Sequence, residues 1–313
     1  MTRRDLLWGA AALSSRFLLA KATQPATPVN FDIPANACDC HTHIIGDPKQ
    51  FPFWSGRTYT PEAALPAEMS ALHRSLHLAR VVIVTPSVYG PDNAATLYGM
   101  KERGATSRGV AVIDAKTSPA DLEAMNRAGI RGIRLNLATA GQTDPAFARR
   151  TLTDAIGRVT PLKWHIQMYT GLDVISGIRQ LVQSASVPVV FDHFGGTQAV
   201  KGLQQAGFSD LLDLVRAGNA YVKISGAYRA STKAPDYPDV APFAKALIAA
   251  NPDRIIWGTD WPHPGPAIGK PTDFAPFQEI DDGRLLNQLP IWAPDPAIRK
   301  KILVDNPARF YGF

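Results

Sequence analysis

Three short stretches of this chain carry histidine and aspartate in patterns that chemistry could use. The first is His41-Thr42-His43. In an extended run, alternation sends both imidazoles to one side, where they could bind a metal or polarise a carbonyl. A chance pair of surface histidines is the ordinary alternative. The second stretch is Phe191-Asp192-His193-Phe194-Gly195-Gly196, in which glycines let the chain turn sharply just after a histidine that is costly to bury unpartnered. A satisfied core histidine is its ordinary alternative. The third, Trp257-Gly258-Thr259-Asp260-Trp261-Pro262-His263, ends an apolar run on an aspartate. That carboxylate could take a proton from water, bind a cation or merely cap a helix. Arg134 alternates with Asn136 at the end of a further apolar run. A guanidinium so placed can hold a carboxylate bidentately, with a structural salt bridge as the alternative.

Those stretches need elements to hold them. Short apolar, β-branched runs at residues 37–43, 80–86, 108–113, 130–136, 163–169, 188–195, 221–226 and 254–260 alternate with helical patterns. Among the helical patterns are residues 119–128, 172–184 and 242–250. The first of these carries Ser118 as N-cap, Pro119 at the first helical position and Gly129 just past the end. Eight strand–helix repeats predict a parallel sheet closed into a (β/α)8 TIM barrel of the α/β class. A doubly wound open sheet would carry a glycine-rich phosphate turn after its first strand, and Asp39-Cys40-His41-Thr42-His43 is nothing like one. Long irregular segments at 46–66 and 264–295 follow the first and eighth strands, on the face where barrels carry their chemistry. All three histidine and aspartate stretches end strands on that same rim.

The length, 313 residues, suits one large barrel, and 45% hydrophobic with 19% charged residues is ordinary for a globular domain. The N-terminus reads as an address. Arg3-Arg4 precedes an apolar run, and Ala20-Lys21-Ala22 offers a small-x-small cleavage site. Residues 1–22 are therefore expected to be a Tat-type signal, 23–36 a Pro- and Thr-rich linker, and 37–313 the barrel. The expected partner is then the Tat export machinery and the expected location the periplasm, or the cytoplasm if the signal does not function. Four basic residues against one acidic give that signal +3 of the formal +6. The remaining charge is mild and scattered, which argues against nucleic acid and suits a small anionic substrate. No later run approaches the roughly 18 apolar residues of a membrane span, so no stable insertion is expected after cleavage. Cys38 and Cys40 share one face of a strand, and a bridge within so small a loop would be strained; free thiols packed against helices are expected.

The motifs taken together resemble the amidohydrolase-related (amidohydrolase 2) family, and within it the 2-pyrone-4,6-dicarboxylate lactonases and related sugar-lactone enzymes. The resemblance covers roughly residues 37 to 313. Beyond the three stretches it includes Phe51-Pro52-Phe53, Arg57-Thr58-Tyr59-Thr60-Pro61, Gly132-Ile133-Arg134-Leu135-Asn136 and the terminal Asn306-Pro307-Ala308-Arg309-Phe310-Tyr311-Gly312-Phe313. It implies substrate contacts from Tyr59, Ser87, Arg134, Tyr169 and Arg229, with His41, His43, His193 and Asp260 at the reacting carbonyl. The dicarboxylate lactonases carry further arginines where this chain has residues such as Thr139, Ala140 and Gly196, so a substrate with two carboxylates is poorly matched. Those lactonases work without a metal, which implies that no cofactor is required. His41, His43, His193 and Asp260 could still hold one zinc or other divalent ion.

The expected reaction is hydrolysis of a small carboxylated lactone. Asp260 acts as general base, the histidines stabilise the oxyanion, and Arg134 with Tyr59 and Tyr169 fixes the substrate. A zinc-dependent decarboxylase of the same superfamily is one alternative. A periplasmic binding protein without turnover is the other, although such a protein would have no need of a general base.

Overall fold

The computed structural model describes residues 22–313 apart from residue 268. Of the expected signal at 1–22, all but Ala22 lies outside the described residues. Eight strands run in chain order: β1 (Cys38–Thr42), β2 (Arg80–Val84), β3 (Ser107–Ala111), β4 (Ile130–Leu135), β5 (His165–Met168), β6 (Val189–Phe191), β7 (Ala220–Ser225) and β8 (Ile255–Gly258). Each pairs in parallel with the next. Helices α1 (Pro66–Ser75), α2 (Ala94–Arg103), α3 (Pro119–Arg127), α4 (Pro145–Val159), α5 (Leu172–Ser184), α6 (Phe208–Arg216) and α7 (Ala241–Ala250) make the crossovers. The architecture is the (β/α)8 barrel. Helix α3 begins as its sequence dictates: the Ser118 hydroxyl accepts from the Asp121 amide, and the Asp121 carboxylate accepts from the Ser118 amide. No helix among the described residues is long and apolar enough to cross a membrane.

The barrel closes where β1 meets the end of β8. The His43 amide donates to the Trp261 carbonyl (2.9 Å), and the Asp260 amide donates to the His41 carbonyl (2.8 Å). The buried Asp39 carboxylate reinforces this seam, accepting from the amides of His41 (3.1 Å) and Thr259 (3.0 Å) and from the Thr259 hydroxyl (2.6 Å). Residues 22–36 carry no helix or strand, yet they are docked on the barrel. The Trp261 indole donates to the Thr23 carbonyl (3.0 Å), and the Thr27 hydroxyl donates to Asp281 (2.6 Å).

One expectation fails at β1. With His41 and His43 facing inward, strict alternation would turn the thiols towards the helices. Instead Cys38 and Cys40 are free and buried among Val82, Val84, Val110, Val190 and Ile256, inside the barrel. The cause is a bulge. Between Asp39 and Thr42 the register advances three residues against two on β2. The extra residue resets the alternation, so the thiols and the imidazoles both face inward, while Thr42 turns to Met69 on α1.

Deeper in the barrel, His165 packs against Phe310 and Tyr311 of the C-terminal helix Asn306–Tyr311, well below the rim. Burial, aided by the Lys223 ammonium, pushes its imidazole down to about 3. An unfolded histidine titrates near 6.5, so between those values the unfolded chain holds the extra proton and the folded one does not. Stability is therefore expected to be full above that window and to fall as pH drops through it. Melting curves from pH 7 to pH 4 should show the loss, and His165→Leu should flatten the slope by about one proton. An unchanged slope in the variant would remove His165 from the account.

Candidate active site

Each strand end delivers one part of the site, and the side chains stack in layers. On β5 and β7 and just past β6, alternation points Gln167, Lys223 and Asp192 into the barrel. Gln167 and Arg134 both donate to Asp192 Oδ2 at 3.0 Å. Lys223 donates to Gln167 Oε1 (2.6 Å) and to the Cys40 carbonyl (2.9 Å), and its Nζ lies 3.6 Å from Asp192 Oδ1. All four side chains are buried. Burial pushes the Asp192 carboxyl up, but His41, Arg134 and Lys223 outweigh it and hold it well below the usual carboxylate range. Burial pushes the Lys223 ammonium down.

Above this layer the expected catalytic set converges. Asp260 Oδ1 lies 3.6 Å from His41 Nε2, 3.6 Å from His43 Nε2 and 3.8 Å from His193 Nε2. The far side of each ring is tied. His43 Nδ1 meets the Val84 carbonyl at 2.7 Å, His41 Nδ1 lies 3.3 Å from Asp192 Oδ1, and His193 Nδ1 lies 3.0 Å from the Ser225 hydroxyl. A carbonyl only accepts, so His43 must carry its proton on Nδ1 and present a lone pair at Nε2. The backbone is bent to aim these groups. His193 (φ 49°), Phe194 (φ 57°) and Asp260 (φ 67°) are left-handed, a conformation that costs about 1–3 kcal/mol per residue without glycine.

Asp260 is bound from one side only. Its Oδ2 accepts from the Tyr228 hydroxyl at 2.5 Å and from Arg229 Nε, while Oδ1 is buried with no hydrogen-bond partner. Burial pushes its carboxyl up, but Arg229, His193 and the other imidazoles outweigh it and hold it well below the usual range. Burial also lowers His41 and His43, and takes His193 down to about 4. The imidazoles are thus neutral at pH 7. Behind Tyr228 sits His263, its Nδ1 3.4 Å from the phenol and its Nε2 2.9 Å from Asp282.

The orphaned atoms test whether a cation fits. His41 Nε2, His193 Nε2 and Asp260 Oδ1 are all buried and unpartnered, and all face one point. His41 with His43 and Asp260, and His41 with Asp192 and His193, each bring ligand atoms within 4.8 Å of one another. Neutral nitrogens and a carboxylate oxygen with their lone pairs turned inward form a donor set that fits one divalent ion.

The site opens into a cavity of about 410 Å³ lined by His43, Tyr59, Ser87, Arg134, Tyr169 and Arg229, among others. Every residue expected to touch substrate is therefore there. Arg229 is engaged with Asp260, with its guanidinium 5.9 Å from the Tyr169 ring centre. Burial pushes the Tyr59 phenol up, opposed by its hydrogen bond with Ser87. Arg134 donates to protein only through Nε among the described residues, so its terminal nitrogens are left to the cavity. Sequence reasoning assigned no part to Asp192, Lys223, Tyr228 or His263. The available signals were an aspartate beside His193 and a lysine inside the apolar run Ala220–Ser225.

Gly258 makes the close approach of β8 to β1 possible. A Cβ there would sit 2.7 Å from the His41 amide nitrogen and 2.8 Å from His41 Cβ. Gly258→Ala is expected to cost about 1–3 kcal/mol and to lower activity by parting His41 from Asp260. Thermal melts and activity assays would check both, and an unperturbed variant would mean the seam can give.

The family model described as Amidohydrolase matches residues 38–313. The 4-sulfomuconolactone hydrolase of Rhizobium radiobacter is 35% identical over 290 residues, covering 92% of this chain and 93% of that protein. The 2-pyrone-4,6-dicarboxylate hydrolase of Comamonas testosteroni is 34% identical over 296 residues, covering 92% and 93%. A solved apo structure from Agrobacterium tumefaciens superposes with a TM-score of 0.76 at 28% identity, covering 91% of this chain and 98% of that one. With the barrel, the rim histidines and these matches in agreement, the chain belongs to the amidohydrolase family.

Proposed function

We propose that this protein hydrolyses a small anionic lactone, with Asp260 as general base. The observation that carries the reading is the position of Asp260 Oδ1. It is the free oxygen of an ionised carboxylate, it faces three imidazoles, and it lies beneath a cavity whose wall presents the terminal nitrogens of Arg134. The relatives named as hydrolases of a sulfonated muconolactone and of a pyrone dicarboxylate support lactones as the substrate class.

Arg134 grips the substrate anion, and Tyr59, Ser87 and Tyr169 shape the space around the ring. Asp260 Oδ1 takes a proton from water as the water attacks the carbonyl carbon, and returns it to the ring oxygen as that bond breaks. Tyr228 and Arg229 keep the carboxylate oriented by holding its other oxygen. Asp192 fixes the His41 ring, and Ser225 fixes His193. Positive charge must meet the developing oxyanion. It would come from a proton that the imidazoles, neutral in the free protein, take up together as the anionic substrate binds, or from one divalent ion held by those histidines and Asp260, which would act as a Lewis acid.

The test is a screen of carboxylated lactones for conversion to hydroxy acids, with metal content measured on the same sample before and after chelation. Turnover that survives complete metal removal assigns the charge to the histidines. Loss that zinc restores assigns it to the ion. No turnover of any anionic lactone would sink the reading. We further propose Tat export with a mature chain beginning at Thr23, supported by Arg3-Arg4 and Ala20-Lys21-Ala22. N-terminal sequencing of periplasmic protein tests it, and an intact Met1 on protein found only in the cytoplasm would refute it.

A further inference from the structure

Beside the cavity over Asp260 lies a second, of about 580 Å³. The two share Thr58, Ser87, Arg134 and Thr139, so they adjoin across those four side chains, with Arg134 bordering both. Their walls differ in kind. Tyr59, Tyr169, Arg134 and Arg229 stand in the first, whereas Trp54, Val112, Ile113, Leu135, Leu137 and Phe147 give the second a large apolar share beside Arg57, Asp114 and Gln142. Trp54 and Phe147 are 48% and 37% exposed. A single exposed ring means little, but two walling one concavity beside a guanidinium make a binding surface. Asn136, next after β4, also lines this chamber, and its Oδ1 is buried with no hydrogen-bond partner. A buried amide oxygen left so is costly until a donor reaches it.

We infer that this chamber is a subsite for an apolar arm of the substrate. The preferred substrate is then a lactone whose anionic group sits on Arg134 and whose alkyl or aryl substituent extends between Trp54 and Phe147. The inference rests on the lactone reading of the adjoining site and narrows it, from any small anionic lactone to one with an apolar extension.

The experiment compares carboxylated lactones bearing alkyl arms of zero to four carbons. In the wild type kcat/KM should rise about four-fold for each added methylene. A polar arm of the same length should lose that gain. Thr151 on α4 lines the chamber, and Thr151→Phe should fill it and bring the ratio of long-arm to armless kcat/KM close to one. Calorimetric binding of linear alkanoates from butyrate to octanoate, each with one carboxylate, to the wild type reads the same preference without turnover or mutation. Lactone turnover with no dependence on arm length would overturn the subsite and leave the hydrolase reading standing. Alkanoate affinity that rises with chain length, with no lactone turned over, would support the subsite and overturn the hydrolase reading. A Thr151→Phe variant that folds and keeps the full long-arm ratio would overturn the placement of the arm.

Discussion

Asp260→Asn is expected to lower kcat by about 10²- to 10⁴-fold, the usual worth of a positioned proton acceptor. The replacement is isosteric, and the Tyr228 hydroxyl can still donate to an amide oxygen, so the pocket keeps its shape. What disappears is the free, ionised Oδ1 facing the three imidazoles. Arg229 Nε can donate to the same amide oxygen, but without an anionic partner its charge is freer to meet a ligand in the cavity it lines. Substrate anion therefore binds no more weakly, and the loss falls on kcat rather than KM. The same argument sets the pH dependence of the wild type. Burial alone would raise Asp260, but Arg229 and the imidazoles outweigh it and hold it well below the ordinary range. Activity should thus persist below the pH at which an exposed aspartate protonates. Steady-state kinetics of the two proteins, beside ligand binding to the variant, check all three points. A variant that retains more than about a tenth of wild-type kcat would exclude Asp260 as the base.

Arg134→Met should harm two things at once. Loss of a charge-assisted contact to the substrate anion is expected to weaken binding by roughly 1.5–3 kcal/mol, about 10- to 150-fold. The same guanidinium also donates to buried Asp192, which in turn lies 3.3 Å from His41 Nδ1. Breaking a buried pair costs about 3–5 kcal/mol of stability. The lower end is expected here, because Gln167 and Lys223 remain beside Asp192. Comparing carboxylated with uncarboxylated lactones separates the two roles. The binding penalty should vanish without the carboxylate, whereas the lowered melting temperature should persist whatever the ligand. Equal loss on both lactones would make Arg134 a structural residue alone.

The barrel was legible in the sequence because short buried runs, most of them carrying Val or Ile, alternate eight times with helical stretches. All eight expected strands contain the observed ones or shift by a residue or two at their ends. The rim residues were legible for a related reason: His193 and Asp260 come two and three residues after apolar stretches that end at Phe191 and Trp257, and His41 begins the His-Thr-His that closes the first strand. The orientation of the thiols was not, because a bulge changes alternation without leaving a residue type behind. Nor was the layer beneath the histidines. Lys223 within Ala220–Ser225 reads as a solvated face until its neighbours Gln167, Cys40 and Asp192 are known, and those come from three other strands. The pairing of Arg229 with Asp260 was hidden likewise, since 31 residues separate them. Contacts made across the barrel are decided by closure, and closure leaves no local pattern.

The seam between β1 and β8 has a consequence for biosynthesis. Asp39 and Thr259, whose hydrogen bonds lock it, stand 220 residues apart, so this closure is among the most non-local contacts in the chain. Such contacts form late, after the cost of looping the intervening chain has been met. A nascent polypeptide halted before β8 would already own its three rim histidines and Arg134. It would lack the carboxylate, and the His43 amide would have no Trp261 carbonyl to meet, leaving β1 as a bare edge open to pairing with other chains. Assembly of the site in this molecule therefore waits on β8: the stitch that closes the barrel also delivers Asp260 to the histidines.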